Sequence, residues 1–233
     1  MEHRIAPLPG WTYSACIEGN QLKREPMLQT LLASFSYHRG AHDSSKKLKE
    51  AFMDNQWRVS PYDPTWKILF EDIAIKLRNS LGDIAVRIDH VGSTSVIGLD
   101  AKPIIDIQVS VSCYDDVSSY KTLIEKIGFV LREENPDKSK KYFREIPGTR
   151  RTHIHVRQAG SFSEQVTLLF RDYLRVHPAD CFRYAQEKHR LMGLYKNERH
   201  KYVEGKGPIV WDILQKAHSW SQEVGWRPGI TDM

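Results

Sequence analysis

The chain has 233 residues, 40% of them hydrophobic and 10% aromatic, and a formal net charge of +5. That apolar content supplies a packed core and excludes global disorder. No run of about 18 apolar residues exists to cross a bilayer as a helix. Cys16, Cys113 and Cys181 are far apart and form no CxxC pair, which excludes a thiolate zinc site or a disulfide scaffold. The N-terminus lacks a basic start followed by an apolar run, so no signal peptide is expected. With reduced thiols, these features predict a cytoplasmic protein with no membrane partner.

Residues 1–57 read as an N-terminal extension, with helices expected over 27–37 and 44–53 and a loop at HRGAHDSSKK. The compact domain is expected over 58–221. Pro61 and Pro64 punctuate its entry, and Asp63 can cap a helix with Pro64 in its first turn. Trp66, Leu69, Phe70, Ile73, Ile75 and Leu77 recur at helical spacing, and LGD after Ser80 reads as a stop. IAVRIDHVG and KPIIDIQVSV are two strands. The second is a nearly continuous apolar run, expected to be covered on both faces. A helix over 115–127 ends at Gly128. FVLREE, KKYFREI and RRTHIHVRQ are three further strands.

Ser161-x-x-Glu164 is a capping-box pattern ahead of a helix. His177-Pro178 breaks that helix and opens another over 179–195, and a last helix is expected over 209–221. The tail, 222–233, contains Gly225, Pro228 and Gly229 and is expected to be loose. The order predicts an α+β domain: a mixed sheet flanked by helices, with a C-terminal helical segment.

Chemistry concentrates in HVGSTSVIGLDAKPIIDIQVSV, His90 to Val111. A Gly-Ser turn leaving a strand can aim N–H groups and a hydroxyl at phosphate oxygens. A carboxylate on the next strand, here Asp106, can hold a divalent ion bridging the same phosphates. The alternative for this pattern is a tight turn followed by a buried, hydrogen-bonded Asp.

This stretch resembles the signature of the GrpB family. The likeness continues in PYDPTWKILFE, RTHIHV, LLFRDYLRVHP, the Tyr184…Lys188 pair, Tyr202…Lys206 and Ala217…Trp220, across residues 58–221. Ile97 stands where that family usually has proline. The family in turn resembles the DNA polymerase beta-like nucleotidyltransferases in fold. The resemblance implies a phosphate- or nucleotide-binding role for Gly92, Ser93 and Thr94. It makes Asp106 a metal ligand and a catalytic residue, with a divalent metal, Mg²⁺ or Mn²⁺, as cofactor. The implied partner is a nucleotide or a phosphorylated small molecule, with RNA as a further class.

Side chains two apart on a strand share a face, so position 108 points where Asp106 points. Two-metal transfer needs a second acid there, and Gln108 offers only a neutral carbonyl. On the RRTHIHVRQ strand, His153 and His155 share a face with Arg151 and Arg157. Both histidines are candidate metal ligands, and His155 is a candidate general base. With His90 added, the set suits Zn²⁺, Mn²⁺ or Fe²⁺ better than Mg²⁺. The alternative is a hydrogen-bonded histidine pair.

Lys102 either reaches a phosphate from the strand entrance or is simply solvated at a strand end. Arg171, four residues from Arg175 on one helix face, can bind phosphate with its planar fork or pair with an Asp to fix helices to the sheet. The basic stretch Lys138, Lys140, Lys141, Arg144, Arg150, Arg151 and Arg157 reads either as a wall of an anion cleft or as a solvated hairpin. Three functions follow: one-metal nucleotidyl or phosphoryl transfer, a non-catalytic nucleotide- or RNA-binding module, or a His/Asp metal-dependent hydrolase.

Overall fold

The computed structural model describes residues 58–233. The helices expected over 27–37 and 44–53 lie outside the described residues. Helix α1 (Thr65–Leu81) starts as the sequence predicts: Thr65 N donates to Asp63 Oδ1 at 2.9 Å. Its buried residues, Trp66, Phe70, Ala74, Leu77 and Leu81, recur every three or four positions and form one stripe. Gly82, at φ 52°, ends the helix.

Strands β1 (Ala85–Val91) and β2 (Ile105–Val111) follow, with a short 3-10 turn, Ser93–Ser95, between them. Then come α2 (Val117–Lys126), β3 (Phe129–Leu131), β4 (Lys141–Glu145) and β5 (Thr152–Gln158). The five strands form one mixed sheet in the order β1-β2-β5-β4-β3. β2 and β5 pair in parallel, and the other neighbours pair antiparallel. The fold is the α+β class expected.

One sheet face is apolar. Ile88, Ile105, Ile107, Val109, Phe143, Ile154 and Val156 pack there against the α1 stripe and against Tyr120 and Ile124 of α2. Fully burying each such aliphatic or aromatic side chain contributes about 1.5–3 kcal/mol. The other face of β2 is buried too, but it carries Gln108 and Ser110. The run is covered on both faces, as expected, and alternates apolar with polar rather than being apolar throughout.

Four helices follow the sheet: α3 (Phe162–Val176), α4 (Pro178–Leu194), α5 (Arg199–Gly205) and α6 (Gly207–Val224). Ser161 caps α3 by accepting from Glu164 N at 3.2 Å, and Glu164 Oε2 accepts from Gly160 N at 2.6 Å. The reciprocal pair of the capping box is thus present, displaced by one residue. The seven-residue α5 was not foreseen, because so short a segment beside glycine carries too weak a pattern. A second core among α3, α4 and α6 includes Phe170, Leu174, Tyr184, Ile213 and Ala217, and Val96 and Leu99 reach into it from the β1–β2 connection. No described helix is long and apolar enough to cross a membrane.

The tail is held rather than loose. Ile88 N donates to Thr231 Oγ1 at 3.0 Å, His90 N donates to Asp232 Oδ2 at 2.9 Å, and Arg78 Nη2 donates to Met233 O at 2.9 Å. These partners lie more than 140 positions away in sequence, so turn-forming composition alone could not reveal them.

Candidate functional site

Alternation along β2 and β5 builds the site. Their register sets Asp106 beside His153, Gln108 beside His155 and Ser110 beside Arg157. With Ile105, Ile107, Ile154 and Val156 committed to the core, these six side chains occupy the opposite face. Asp106 Oδ1 accepts from His153 Nδ1 at 2.9 Å and from His155 Nε2 at 3.4 Å. Burial pushes the Asp106 carboxyl up, but the hydrogen bonds from the two imidazoles outweigh it and hold the group below the usual carboxylate range. Burial pushes His155 down to about 3, with Lys140 next in effect, and lowers His153 as well. Both rings are therefore neutral near pH 7. Tyr142 of β4 stacks on His155, with centroids 5.4 Å apart, and meets His153 edge-on.

Among the described residues, Asp106, His153 and His155 form a group whose ligand atoms all lie within 4.8 Å of one another. Ligand atoms around a tetrahedral ion with bonds near 2.0–2.1 Å are about 3.4 Å apart. The distances from Asp106 Oδ1 to the two imidazoles, 2.9 and 3.4 Å, come close to that spacing, so the set is compact enough for one divalent ion. It does not fit a two-ion clamp. Gln108 is fully buried, its amide donates to Glu164 O at 3.4 Å, and its Oε1 has no hydrogen-bond partner. It lines a cavity of roughly 10 Å³ with Gly92, Asp106, His155, Arg157 and Thr167. In that cavity Arg157 supplies positive charge, and no second carboxylate joins Asp106.

His90 does not join the group. It pairs with Ile107 in the β1–β2 register and so faces the core, where it stacks on Phe70 at 4.7 Å. Its Nε2 lies 3.1 Å from Thr94 Oγ1. The β1 pleat turns it away from Asp106, which overturns the three-imidazole arrangement. Thr94 also turns inward and donates to Ile104 O at 3.1 Å. Arg171 is buried behind the turn. Its Nη1 donates to His90 O at 3.1 Å and to Asp232 Oδ2 at 2.9 Å, and its Nε donates to Asp172 Oδ1 at 2.7 Å. Of the two roles open in the sequence, these contacts match the ion pair that fixes a helix to the sheet.

Gly92 and Ser93 stand at the Asp106 end of the site. Gly92 has φ 70° and ψ −174°, a region open essentially only to glycine. Ser93 is half-buried and shares a hydrogen bond with Tyr184.

Cations crowd the same end. Lys102 Nζ sits 3.8 Å over the Tyr202 ring, with Lys206 Nζ 5.3 Å from it, and Lys188 Nζ lies 4.6 Å over Tyr184. Lys188 also donates to the Asp100 carbonyl. Burial, followed by the like charges of Lys206, Arg199, Arg151 and Lys188, pushes Lys102 down to about 5. Burial and Lys206 push Lys188 down to about 7, and burial takes Lys206 to about 8.

The basic hairpin divides between its two readings. Lys140, Arg144 and Arg157 are buried, whereas Lys138 and Arg150 are exposed. Glu145 holds Arg144 at 2.7 Å and Arg151 at 3.2 Å. Lys188 and Lys206 entered through the family resemblance, in the pairs Tyr184…Lys188 and Tyr202…Lys206. Arg199 had no such mark.

Comparison with known proteins adds lineage. The family model described as GrpB protein matches residues 56–216. A UPF0157 protein of Halalkalibacterium halodurans is 37% identical over 158 residues, covering 68% of this chain and 80% of its own. The crystal structure of GrpB from Enterococcus faecalis aligns with a TM-score of 0.66 and 32% identity, over 71% of this chain and 99% of that one. Cid1 in complex with its short product ApU aligns at 0.41 with 15% identity, over 69% of this chain and 53% of that one, a distant likeness without bearing on chemistry.

Proposed function

The chain belongs to the GrpB family, and from that premise we propose that its cleft binds a nucleotide or another phosphorylated substrate with one divalent metal and supports nucleotidyl or phosphoryl transfer. The observation that carries this reading is the crowd of cations beside Asp106. Lys102, Lys188 and Lys206 all have depressed proton affinity, and Lys102 is pressed by four like charges. Such a cluster gains protons and charge when an anion of high charge density enters, and a phosphate chain is that kind of anion.

In this reading Gly92 and Ser93 offer backbone N–H groups and a hydroxyl to phosphate oxygens, and Lys102, Lys188 and Lys206 balance their charge. Asp106, with His153 and His155, holds the metal, Mg²⁺ or Mn²⁺, and two imidazoles in the set favour Mn²⁺. The ion, when bound, polarises a phosphoryl oxygen as a Lewis acid. Where Asp106 and His153 hold the ion without it, His155, neutral near pH 7, can instead take a proton from an attacking hydroxyl.

Calorimetric titration of the full chain with nucleoside triphosphates and MnCl₂ tests the reading. Binding should be seen in the wild type and be weakened in K102A and K206A. No binding at millimolar concentrations would sink the proposal.

A second reading has its own support. Gln108 at the second-acid position is buried beneath α3, which favours a module that holds a nucleotide or RNA without turning it over. Metal-dependent turnover in a broad nucleotide screen, lost in D106A, would exclude it.

A further inference from the structure

The peptide of His90, two residues before Gly92, is held at both ends. Its N–H donates to Asp232 Oδ2 at 2.9 Å and its carbonyl accepts from Arg171 Nη1 at 3.1 Å. The same Asp232 Oδ2 accepts from Arg171 Nη1 at 2.9 Å, which closes a three-membered ring of contacts. The far end of the turn is held from the same helix face. Arg175, one helical turn on, donates from Nε to Ser95 O at 3.1 Å, and its Nη2 lies 3.9 Å from Asp232. Asp89, fully buried, adds a third acid beside Asp232 and Asp172, 3.5 Å from Arg171.

The tail that carries Asp232 is docked independently. Trp226 Nε1 donates to Asp172 Oδ2 at 3.2 Å, and Arg87 Nη1 donates to Gly229 O at 2.7 Å. Thr231 Oγ1 bridges Ile88 N and O. β1 is an edge strand, so these side-chain bonds also occupy N–H groups that another strand could otherwise pair with.

We propose that Asp232 is a positioning residue for the Gly92–Ser95 turn, acting through Arg171, Arg175 and the His90 peptide. The C-terminal strap that carries it would then set the geometry of the anion site from behind. The inference rests on the phosphate-binding reading only for its effect on ligand. Its effect on the turn itself is independent of that reading.

Amide hydrogen exchange on the ligand-free full chain tests it, comparing wild type, D232A, D232N and S80A. Ser80 Oγ donates to Leu123 O at 2.9 Å, joining α1 to α2 rather than touching the turn or the tail, so S80A reports on general loss of stability. In D232A, exchange at Gly92–Ser95 should speed up about tenfold or more, the scale of losing hydrogen bonds to a charged group. D232N keeps an acceptor for His90 N but removes one of the countercharges that Arg171 and Arg175 share, leaving Asp172 and Asp89, and should fall between. S80A should leave the turn as in the wild type.

Unchanged exchange at the turn in D232A, or equal acceleration in S80A, would overturn the proposal. Affinity for inorganic tripolyphosphate, measured on the same proteins, should weaken about tenfold in D232A. Equal affinity in wild type and D232A would also overturn it. Failure of the wild type to bind tripolyphosphate would instead count against the phosphate reading, and the exchange result would still decide the role of Asp232.

Discussion

Gly92 lies so close to Asp106 that a Cβ built on it would sit 2.6 Å from Asp106 Oδ2 and 3.0 Å from Asp106 Cβ. The carboxylate cannot simply swing aside, because His153 and His155 both hold its Oδ1. The backbone at φ 70° and ψ −174° adds its own penalty for any side chain. Gly92→Ala should therefore destabilise the fold by about 1–3 kcal/mol and displace the Asp106 carboxylate. Urea denaturation reads the first effect. Weakened Mn²⁺ binding in calorimetry reads the second, and wild-type stability would show that the close approach is not obligatory.

Asp106→Ala should be more disruptive than Asp106→Asn. In D106A both imidazoles lose the acceptor at Asp106 Oδ1, and a buried donor that loses its acceptor costs about 1–3 kcal/mol. D106N keeps one acceptor oxygen while removing the charge. Chemical denaturation at pH 7 should rank wild type above D106N and D106N above D106A. The Asp106 pKa is depressed in the folded state. Its contribution is thus complete above the unfolded value near 4 and is lost as pH falls through the lower folded value. The gap between wild type and D106N should accordingly narrow in acid.

The lysine crowd predicts a pH dependence of opposite origin. Lys102, Lys188 and Lys206 have folded values of about 5, 7 and 8 against about 10.5 when unfolded. Between these limits the unfolded chain binds more protons, so stability rises with pH. The ligand-free melting temperature should therefore climb from pH 7 to about 9, below the range where most unfolded tyrosines ionise. A phosphate chain reverses the repulsion and raises these values, so its binding at pH 8 should draw in protons. Calorimetry in two buffers of different ionisation enthalpy measures that uptake, which should shrink in K102A. Proton-neutral binding would mean that these amines do not face the ligand.

The strands, the first helix and the α3 cap were legible because each is written in local spacing. The Asp106–His153–His155 group was legible for the same reason, since two-residue alternation assigns a face to each side chain. Alternation along β1 sets His90 on the face of Ile88, which is core, and so already separates it from the Asp106 face that the three-imidazole arrangement required. Arg171 offered two readings, and its contacts with His90 O, Asp172 and Asp232 match the ion pair. The approach of Asp232 to His90 spans 142 positions, and no periodicity records it. Lys188 and Lys206 entered only through the family resemblance, and their convergence on Lys102 is a tertiary fact.

Gln108→Asp asks whether the missing acid alone separates this site from a two-metal one. Position 108 is fully buried beneath α3, beside Arg157 and Asp106 in the small cavity. A carboxylate there would lose the amide bond to Glu164 O and add a buried negative charge. Arg157 would offset part of that charge, while Asp106 and Glu164 would oppose it. The variant should be less stable than wild type by about 1–3 kcal/mol in metal-free buffer. A divalent ion would relieve the repulsion between two facing carboxylates. MnCl₂ should thus raise the melting temperature of Q108D more than that of the wild type, with calorimetry reporting a second equivalent bound. If Mn²⁺ shifts the two proteins equally, the obstacle to a second ion is the cover of α3 and the guanidinium of Arg157, a matter of packing rather than of one residue.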